Sequence, residues 1–240
     1  MKTLGIIGGI GPETTIDYYR SILGLYKQRT GSEHQPGILI QSIDLRQMQD
    51  WFAESRWADV TEYLVANVEN LARGGADFAI LAANTAHIVF DEVARRSPLP
   101  LISVVEVTCE RARALGLKRL GLIGTKYTMT APFYPEAIQR IGLELVIPRP
   151  PDIELIHNIY FNELLFNQFK AESREAILAI IERLQHEERI DGLILGGTEL
   201  PLLLRGSTVA GVAYLDTTLI HVERIVNEIL DSFSTQPVNS

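Results

Sequence analysis

The chain has very little cysteine: Cys109 is the only one in 240 residues. A single cysteine excludes an internal disulfide framework and a zinc cluster built from several thiolates. Cys109 lies inside an apolar helical pattern, so we expect it to be a small core residue. Metal-ligand spacing is also absent among His34, His157, His186 and His221, so no metal site is predicted.

Positive charge is also scarce, because 22 Lys and Arg residues face 30 Asp and Glu residues, for a net charge of −8. A nucleic-acid partner needs clustered positive charge and is therefore not expected. No apolar run reaches the roughly 18 residues of a membrane span. The stretch Met1–Ile7 is interpreted as a first strand rather than a signal peptide, because no cleavage signal follows it. These absences predict a cytoplasmic protein with no membrane partner.

What the chain does contain is an internal repeat with the length of a small domain. Leu4–Gly9 returns 116 residues later as Leu120–Thr125, and Asp77–Thr85 returns 114 residues later as Asp191–Glu199. Solenoid repeats have periods of about 20–50 residues, so this period is too long for a solenoid. The repeat predicts two similar α/β lobes, with equivalent loops meeting in a ligand cleft between them.

Strand-like and helix-like segments alternate along the chain, which predicts parallel strands joined by crossover helices. Lobe 1 is predicted over residues 1–115 and lobe 2 over 116–216. The pattern leaves open on which lobe the C-terminal helix 217–232 packs, lobe 1 being one candidate. Asp44–Ser55 is an extra piece of the first half. Strands are predicted near 3–7, 37–43, 77–82, 99–104, 119–123, 143–147, 191–195 and 212–215, and helices near 12–29, 56–74, 86–96, 106–115, 130–141, 152–168, 172–188 and 217–232.

The first loop with a chemical signature is Gly8–Glu13, between a predicted strand and a predicted helix. Glycines allow a ligand to approach the backbone, and exposed N–H groups at a helix start attract anions. The loop is not a dinucleotide fingerprint, because Thr14 stands where that motif needs glycine. The alternative is a tight turn that binds nothing. Its repeat, Gly124–Thr128, offers hydroxyls and a lysine and favours the anion-binding interpretation.

The second pair of loops follows equivalent strands in the two halves. Ala82–His87 ends one strand and Gly196–Glu199 ends the other. Ligands of open α/β sheets bind outside the carboxyl ends of the strands, so these loops are predicted to bind a shared ligand. Plain helix caps are the alternative. His87 is either a general base or an ordinary residue in the first turn of a helix.

In these motifs the chain resembles the aspartate/glutamate racemase superfamily, and specifically its aspartate racemase branch. The resemblance covers nearly the whole chain. It implies two pseudo-symmetric Rossmann-like α/β lobes with parallel sheets, a homodimer, and a reaction that needs neither pyridoxal phosphate, nor any other cofactor, nor metal. The motifs that carry it are Met1–Gly9, Asn84–His87, Gly124–Met129 and Gly196–Glu199.

The resemblance also implies two catalytic cysteines, one before each polar loop motif, which exchange protons with opposite faces of the substrate α-carbon. In this chain those positions are Ala83 and Gly197. Neither side chain can carry a proton, and Cys109 falls at neither position. The departure from the family pattern is therefore at the chemistry itself.

The residues that match the family's substrate-binding motifs predict an acidic amino acid or a dicarboxylate as the small-molecule partner. Arg46 and Lys170 resemble the basic residues that hold the distal carboxylate, with plain solvent exposure as the alternative. The predicted substrate-binding set is Gly9, Ile10, Gly11, Arg46, Asn84, Thr85, Thr125, Thr128, Lys170, Thr198 and Glu199.

Three functions stay open from the sequence. One is a cofactor-independent racemase of an acidic amino acid in which His87, Glu199 or a water replaces the thiols. Loss of a positioned acid or base typically forfeits about 10²–10⁴ in rate, so such a racemase would be slow. A one-base lyase or hydrolase tolerates this site better. The third is a non-catalytic protein that binds an amino or dicarboxylic acid; an engineered origin of Ala83 and Gly197 is a further alternative.

Overall fold

A computed structural model describes residues 1–231 of the chain. All eight predicted strands are present in it, and they form two four-stranded parallel sheets. The predicted helix end at Ser232 and the polar tail 232–240 lie outside the described residues. The strands are β1 (Leu4–Gly8), β2 (Ile38–Ser42), β3 (Phe78–Leu81), β4 (Leu101–Ile102), β5 (Arg119–Gly124), β6 (Glu144–Val146), β7 (Gly192–Gly196) and β8 (Ala213–Asp216).

The two sheets repeat one strand order, β2-β1-β3-β4 in the first and β6-β5-β7-β8 in the second. In the first, Ile6 pairs with Ile40 on one side and with Ile80 on the other. In the second, Leu122 of β5 pairs with Ile194 of β7. The central strands β1, β3 and β7 are buried along their whole length, as expected of parallel strands covered on both faces. The repeat seen in the sequence is therefore a repeat of sheet topology.

Helices connect the strands, and most of them are near the predicted places. Residues 1–231 also contain two short 3₁₀ helices, Thr85–Val89 and Leu164–Phe166. The α-helices are α1 (Pro12–Thr30), α2 (Leu45–Ala53), α3 (Trp57–Arg73), α4 (Phe90–Arg96), α5 (Val104–Ala114), α6 (Lys126–Thr130), α7 (Phe133–Arg140), α8 (Pro150–Asn162), α9 (Ala171–Glu188), α10 (Leu200–Leu203) and α11 (Thr217–Asp231).

The sequence did not predict α2, α6 or α10 as helices. The sequence assigns no structure to Asp44–Ser55, the extra piece of the first half that contains α2. Asp44 caps α2 by accepting hydrogen bonds from the N–H groups of Arg46 and Gln47, at 2.9 and 3.1 Å. The other two helices have five and four residues, too few for a 3.6-residue hydrophobic period to be visible.

The chain divides into two compact units that differ from the predicted lobes. Among the described residues, the first unit contains Met1–Ser103 and residues 221–231, and the second contains Val104–Ile220. The predicted boundary after residue 115 put α5 in the first lobe, whereas α5 packs against α7 and β8 and so belongs to the second unit. The chain therefore passes between the units twice.

The core of the first unit shows why the last helix belongs there. Val222, Ile225, Val226 and Ile229 of α11 are buried in one cluster with residues of β1, β3 and α1. This apolar stripe has the i, i+3, i+4, i+7 spacing of one helix face. Burying a side chain of this kind stabilises the fold by about 1.5–3 kcal/mol. The cluster contains, from the sheet and α1, Leu4, Ile6, Phe78, Ile80, Tyr18, Ile22 and Tyr26.

Candidate functional site

In the first unit, the loop after β1 depends on glycine. Gly9 has φ +85°, and a Cβ added there would lie 2.5 Å from the carbonyl oxygen of Ile43. The Gly9 N–H donates a hydrogen bond to Thr15 Oγ1 at 2.9 Å, which ties the loop to the first turn of α1. Gly11 also has positive φ and is followed by Pro12, the first residue of the helix. The loop therefore brings bare backbone to the N-terminus of a 19-residue helix.

The loop after β3 holds Ala83, Asn84, Thr85 and His87. His87 is buried, its ring is stacked on Phe90 with centroids 4.7 Å apart, and its Nδ1 lies 3.0 Å from the carbonyl oxygen of Ala83. A carbonyl only accepts, so Nδ1 carries the proton and the basic lone pair is on Nε2. Burial lowers the pKa of His87 to about 4, so the imidazole is neutral at pH 7.

Strands β1 and β3 are neighbours and run parallel, so their carboxyl ends lie at the same edge of the first sheet. The sheet thus brings the Gly9–Gly11 loop, including the half-buried Ile10, close to Asn84 and Thr85. Asn84 is buried and Thr85 is half-buried. This is the position at which open α/β sheets bind ligands.

In the second unit, the equivalent loop after β5 is built on threonine rather than glycine. Thr125 caps α6, and its Oγ1 accepts a hydrogen bond from the Thr128 N–H at 3.3 Å and lies 3.1 Å from Thr128 Oγ1. Thr128 is fully buried. Lys126 forms an ion pair with Glu154, with Nζ and Oε1 2.5 Å apart, so its charge is already compensated within the unit.

The loop after β7 contains a buried polar cluster around Glu199. Tyr160 of α8 donates a hydrogen bond to Glu199 Oε2, and the Thr198 hydroxyl donates to the same oxygen at 2.8 Å. The pKa of Tyr160 is raised well above its ordinary value, first by burial and then by the negative charge of Glu199. A Cβ added at Gly197 would lie 2.6 Å from both Oη and Cε2 of Tyr160. The tyrosine ring therefore occupies the space that a side chain at position 197 would need.

The two basic residues predicted to hold a distal carboxylate each have an acidic partner in their own unit. Arg46 of α2 lies 3.0 Å from Asp50, and its side chain is 82% exposed. Lys170 precedes α9 and lies 3.2 Å from Glu163, with its side chain 52% exposed. An exposed pair such as Arg46–Asp50 is weak, at about 0–1 kcal/mol, so a ligand carboxylate can displace Asp50. Glu163 is held more firmly, because its side chain is only 16% exposed and also accepts a hydrogen bond from Ser173.

Sequence reasoning missed the buried contact of Tyr160 with Glu199 and the environment of His221. Tyr160 shares a buried face of α8 with Ile153 and Ile156, which indicates only that it points inward. His221 accepts from the Tyr18 hydroxyl at Nδ1, at 2.9 Å, and its Nε2 lies 3.1 Å from the Ile102 carbonyl, to which it donates. Burial lowers its pKa to about 3, and His87 adds to this effect. No local motif marks either residue.

Cys109 is a buried residue of α5, as predicted. Burial raises the pKa of its thiol to about 12, so it is not a thiolate at neutral pH. Among residues 1–231, no group of three or more His, Cys, Asp or Glu side chains could hold a metal ion. None of the helices in that part of the chain is long and apolar enough to cross a membrane.

Comparison with known proteins agrees with this arrangement. A glutamate racemase from Glaesserella parasuis is 26% identical over 63% of this chain and 56% of its own length. A broad-specificity amino-acid racemase from Bacillus subtilis is 24% identical over 60% of this chain and 63% of its own length. The match thus spans less than two thirds of the length of these curated relatives.

Solved structures match over almost the full chain. An aspartate racemase homologue from Pyrococcus horikoshii is 34% identical, with a TM-score of 0.83 over 95% of this chain and 99% of its own. The glutamate racemase of Francisella tularensis in complex with D-glutamate shares the fold, with a TM-score of 0.66 over 100% of this chain and 84% of its own at 18% identity. Residues 7–225 match the family model described as Asp/Glu/Hydantoin racemase, and the chain therefore belongs to that family.

Proposed function

We propose that this protein acts on an acidic amino acid of the aspartate or glutamate type, and that its proton chemistry at the α-carbon uses no thiol. The observation that carries the proposal is the chemistry beside the two predicted thiol positions. A neutral imidazole, that of His87, is bound to the carbonyl of Ala83. A buried phenol–carboxylate pair, Tyr160 with Glu199, lies against Gly197.

Support for an acidic substrate comes from the loops and from relatives. The helix start after Gly11 and the hydroxyls of Thr85 and Thr125 suit a carboxylate, whereas the Thr198 hydroxyl already donates to Glu199. The Francisella enzyme is a glutamate racemase and was solved with D-glutamate. We also propose that Arg46 and Lys170 bind the distal carboxylate of the substrate. Each would exchange its present carboxylate partner for that of the ligand.

The replacement of the thiols sets the expected rate. His87 has a pKa of about 4, which makes it a weaker general base than a group with a pKa near 7. A slow racemase or a one-base reaction such as a lyase or hydrolase is therefore expected, rather than fast two-thiol racemisation. The low basicity of His87 also favours a second candidate, a protein that binds an amino or dicarboxylic acid without catalysis.

The resemblance further supports a cytoplasmic homodimer that works without cofactor or metal. Size-exclusion chromatography with light scattering tests the dimer. A mass near twice 26.8 kDa supports it, and a mass near 26.8 kDa contradicts it.

The test of function is proton NMR of L- and D-aspartate and L- and D-glutamate with the pure protein in deuterated water. Heat-treated protein is the control, and calorimetry measures binding in parallel. Chiral chromatography of the same samples identifies the enantiomers. Loss of the α-proton signal with appearance of the opposite enantiomer supports a racemase, and loss without inversion supports a one-base reaction. Binding without exchange supports the non-catalytic candidate. Failure of all four amino acids to bind contradicts the proposal.

A further inference from the structure

We propose that Tyr160 and Glu199 form the proton-transfer group of the second unit, with the phenol oxygen of Tyr160 as the atom that exchanges a proton with the substrate α-carbon. The inference rests on the proposed function, because it needs a substrate whose α-proton is exchanged. It adds a residue on α8 that no motif of the chain points to. Three observations carry it: the space Tyr160 fills, the hydrogen bonds it makes and its protonation state.

Tyr160 fills the space that a side chain at position 197, directly after β7, would occupy. Oη and Cε2 of Tyr160 would both be 2.6 Å from a Cβ at Gly197, and Cζ would be 2.9 Å away. These distances are well inside van der Waals contact, so a side chain at 197 and the ring of Tyr160 in its present place exclude each other. The phenol therefore brings an ionisable oxygen to the place where the backbone at 197 leaves room.

The hydrogen bonds hold the phenol in that place. Glu199 is 4% exposed and Tyr160 is 5% exposed, so their polar atoms need partners inside the protein. Two hydroxyls, from Tyr160 and Thr198, donate to the same oxygen, Oε2 of Glu199. A buried carboxylate with two hydroxyl donors is a positioned proton acceptor. A purely structural role could be filled by any hydrogen-bond donor to Glu199, whereas a phenol can also give up its proton.

The protonation state makes the phenol a proton donor at neutral pH. Burial and the charge of Glu199 raise the Tyr160 pKa well above its ordinary value, so the phenol keeps its proton. In α-proton removal, the substrate C–H bond breaks and its electron pair stays on carbon. The proton passes to the phenol oxygen while the phenol's own proton passes to Glu199. In the reverse step, Glu199 returns that proton to the phenol oxygen as the phenol proton forms the new C–H bond.

The experiment compares α-proton exchange in deuterated water for the wild type, Tyr160→Phe, Glu199→Gln and the control Tyr134→Phe. Tyr134 is a fully buried tyrosine of the same unit, on α7, so its variant reports the cost of losing a buried hydroxyl elsewhere. We expect Tyr160→Phe and Glu199→Gln each to lower kcat for exchange about 10²–10⁴-fold, the usual effect of losing a positioned acid or base. KM and the calorimetric binding constant of Tyr160→Phe should stay within about threefold of wild type, and Tyr134→Phe should exchange like wild type.

The possible results separate a failure of this inference from a failure of the proposed function. Exchange by Tyr160→Phe at the wild-type rate overturns the inference and leaves the proposed function intact. Substrate binding by the wild type without exchange also overturns the inference, and it supports the non-catalytic candidate. Absence of binding contradicts the proposed function itself. A rate lost equally in Tyr134→Phe would mean a general packing effect and would overturn the assignment of Tyr160.

Whether Tyr160 occupies the space beside Gly197 can be tested without measuring activity. Gly197→Ala should lower the midpoint of urea unfolding in the wild-type background and lower it less in a Tyr160→Ala background, because the ring that blocks the new methyl group is then absent. Equal shifts in the two backgrounds would show that Tyr160 does not occupy the space beside position 197, and would overturn the inference.

Discussion

The two units have the same strand order, but the loops after equivalent strands are built from different residues. After the first strand of each sheet, unit 1 uses glycine with positive φ at Gly9, whereas unit 2 uses the side-chain cap of Thr125. In the loop after the third strand, unit 1 has the imidazole of His87, whereas unit 2 has Glu199, which accepts a hydrogen bond from Tyr160 of α8. The repeated strand order therefore places polar groups at equivalent strand ends in each unit, but it does not determine which side chains lie there. Three further predictions test this difference between the two units.

The largest expected effect is at the glycine loop of unit 1. Gly9→Ala forces a Cβ onto a residue with φ +85° and to within 2.5 Å of the Ile43 carbonyl oxygen. Left-handed backbone costs a non-glycine residue about 1–2 kcal/mol, and overpacking adds about 1–3 kcal/mol, so we expect a loss of about 3 kcal/mol in unfolding free energy.

Urea unfolding measures this loss, with Gly24→Ala as the matched control. Gly24 lies in α1 and a Cβ there meets nothing within 4 Å, so its replacement should not destabilise. Equal stability of Gly9→Ala and wild type would contradict the difference drawn between the two loops.

The second prediction concerns acid. His87 and His221, both in unit 1, have pKa values of about 4 and about 3, below the ordinary value of 6.5. Between about pH 6.5 and 4 the unfolded chain binds protons that the folded unit does not, so stability falls as the pH falls. From pH 7 to pH 5 each histidine should remove about 2 kcal/mol. In unit 2, burial raises the pKa of Asp216, which changes stability in the opposite direction. Burial also lowers the pKa of the half-buried His157 of unit 2, which acts in the same direction as the histidines of unit 1.

Hydrogen exchange at pH 7 and pH 5, corrected for intrinsic rates, separates the units. Amides of β1 and β3 should lose protection at pH 5 relative to those of β5 and β7. In His221→Gln the amide can still donate to Ile102 and accept from Tyr18, and the pH dependence should weaken by about 2 kcal/mol. Equal loss of protection in both sheets would contradict the assignment of acid sensitivity to unit 1.

The smallest expected effect is at the threonine loop of unit 2. Thr125→Ala removes the acceptor for the Thr128 N–H at the start of α6 and should cost about 1 kcal/mol. Thr125→Ser keeps the acceptor and should stay close to wild type. Urea unfolding of the three proteins measures the difference. A loss from Thr125→Ala as large as that from Gly9→Ala would mean that the two loops are equally demanding.

Much of the fold could be predicted because its signals are local or repeated. Apolar runs such as Phe78–Leu81 predicted buried strands, and the echo of Leu4–Gly9 at Leu120 predicted two related sheets. The short helices α6 and α10 could not be predicted, since a hydrophobic period needs more than one turn to be seen. The boundary of the units was misplaced because α5 follows β4 directly in sequence and yet packs on the second unit.

For the candidate site, the sequence by itself determined which strand ends carry polar residues and that Ala83 and Gly197 cannot transfer a proton. It also determined that the chain's only thiol lies elsewhere, in Cys109. Only the tertiary structure decided that Tyr160 lies against Gly197 and that His87 is neutral at pH 7. The physical reason is that side-chain proximity and desolvation depend on packing between elements. Tyr160 and Glu199 are 39 positions apart in the sequence, and no pattern in the segment between them encodes their contact.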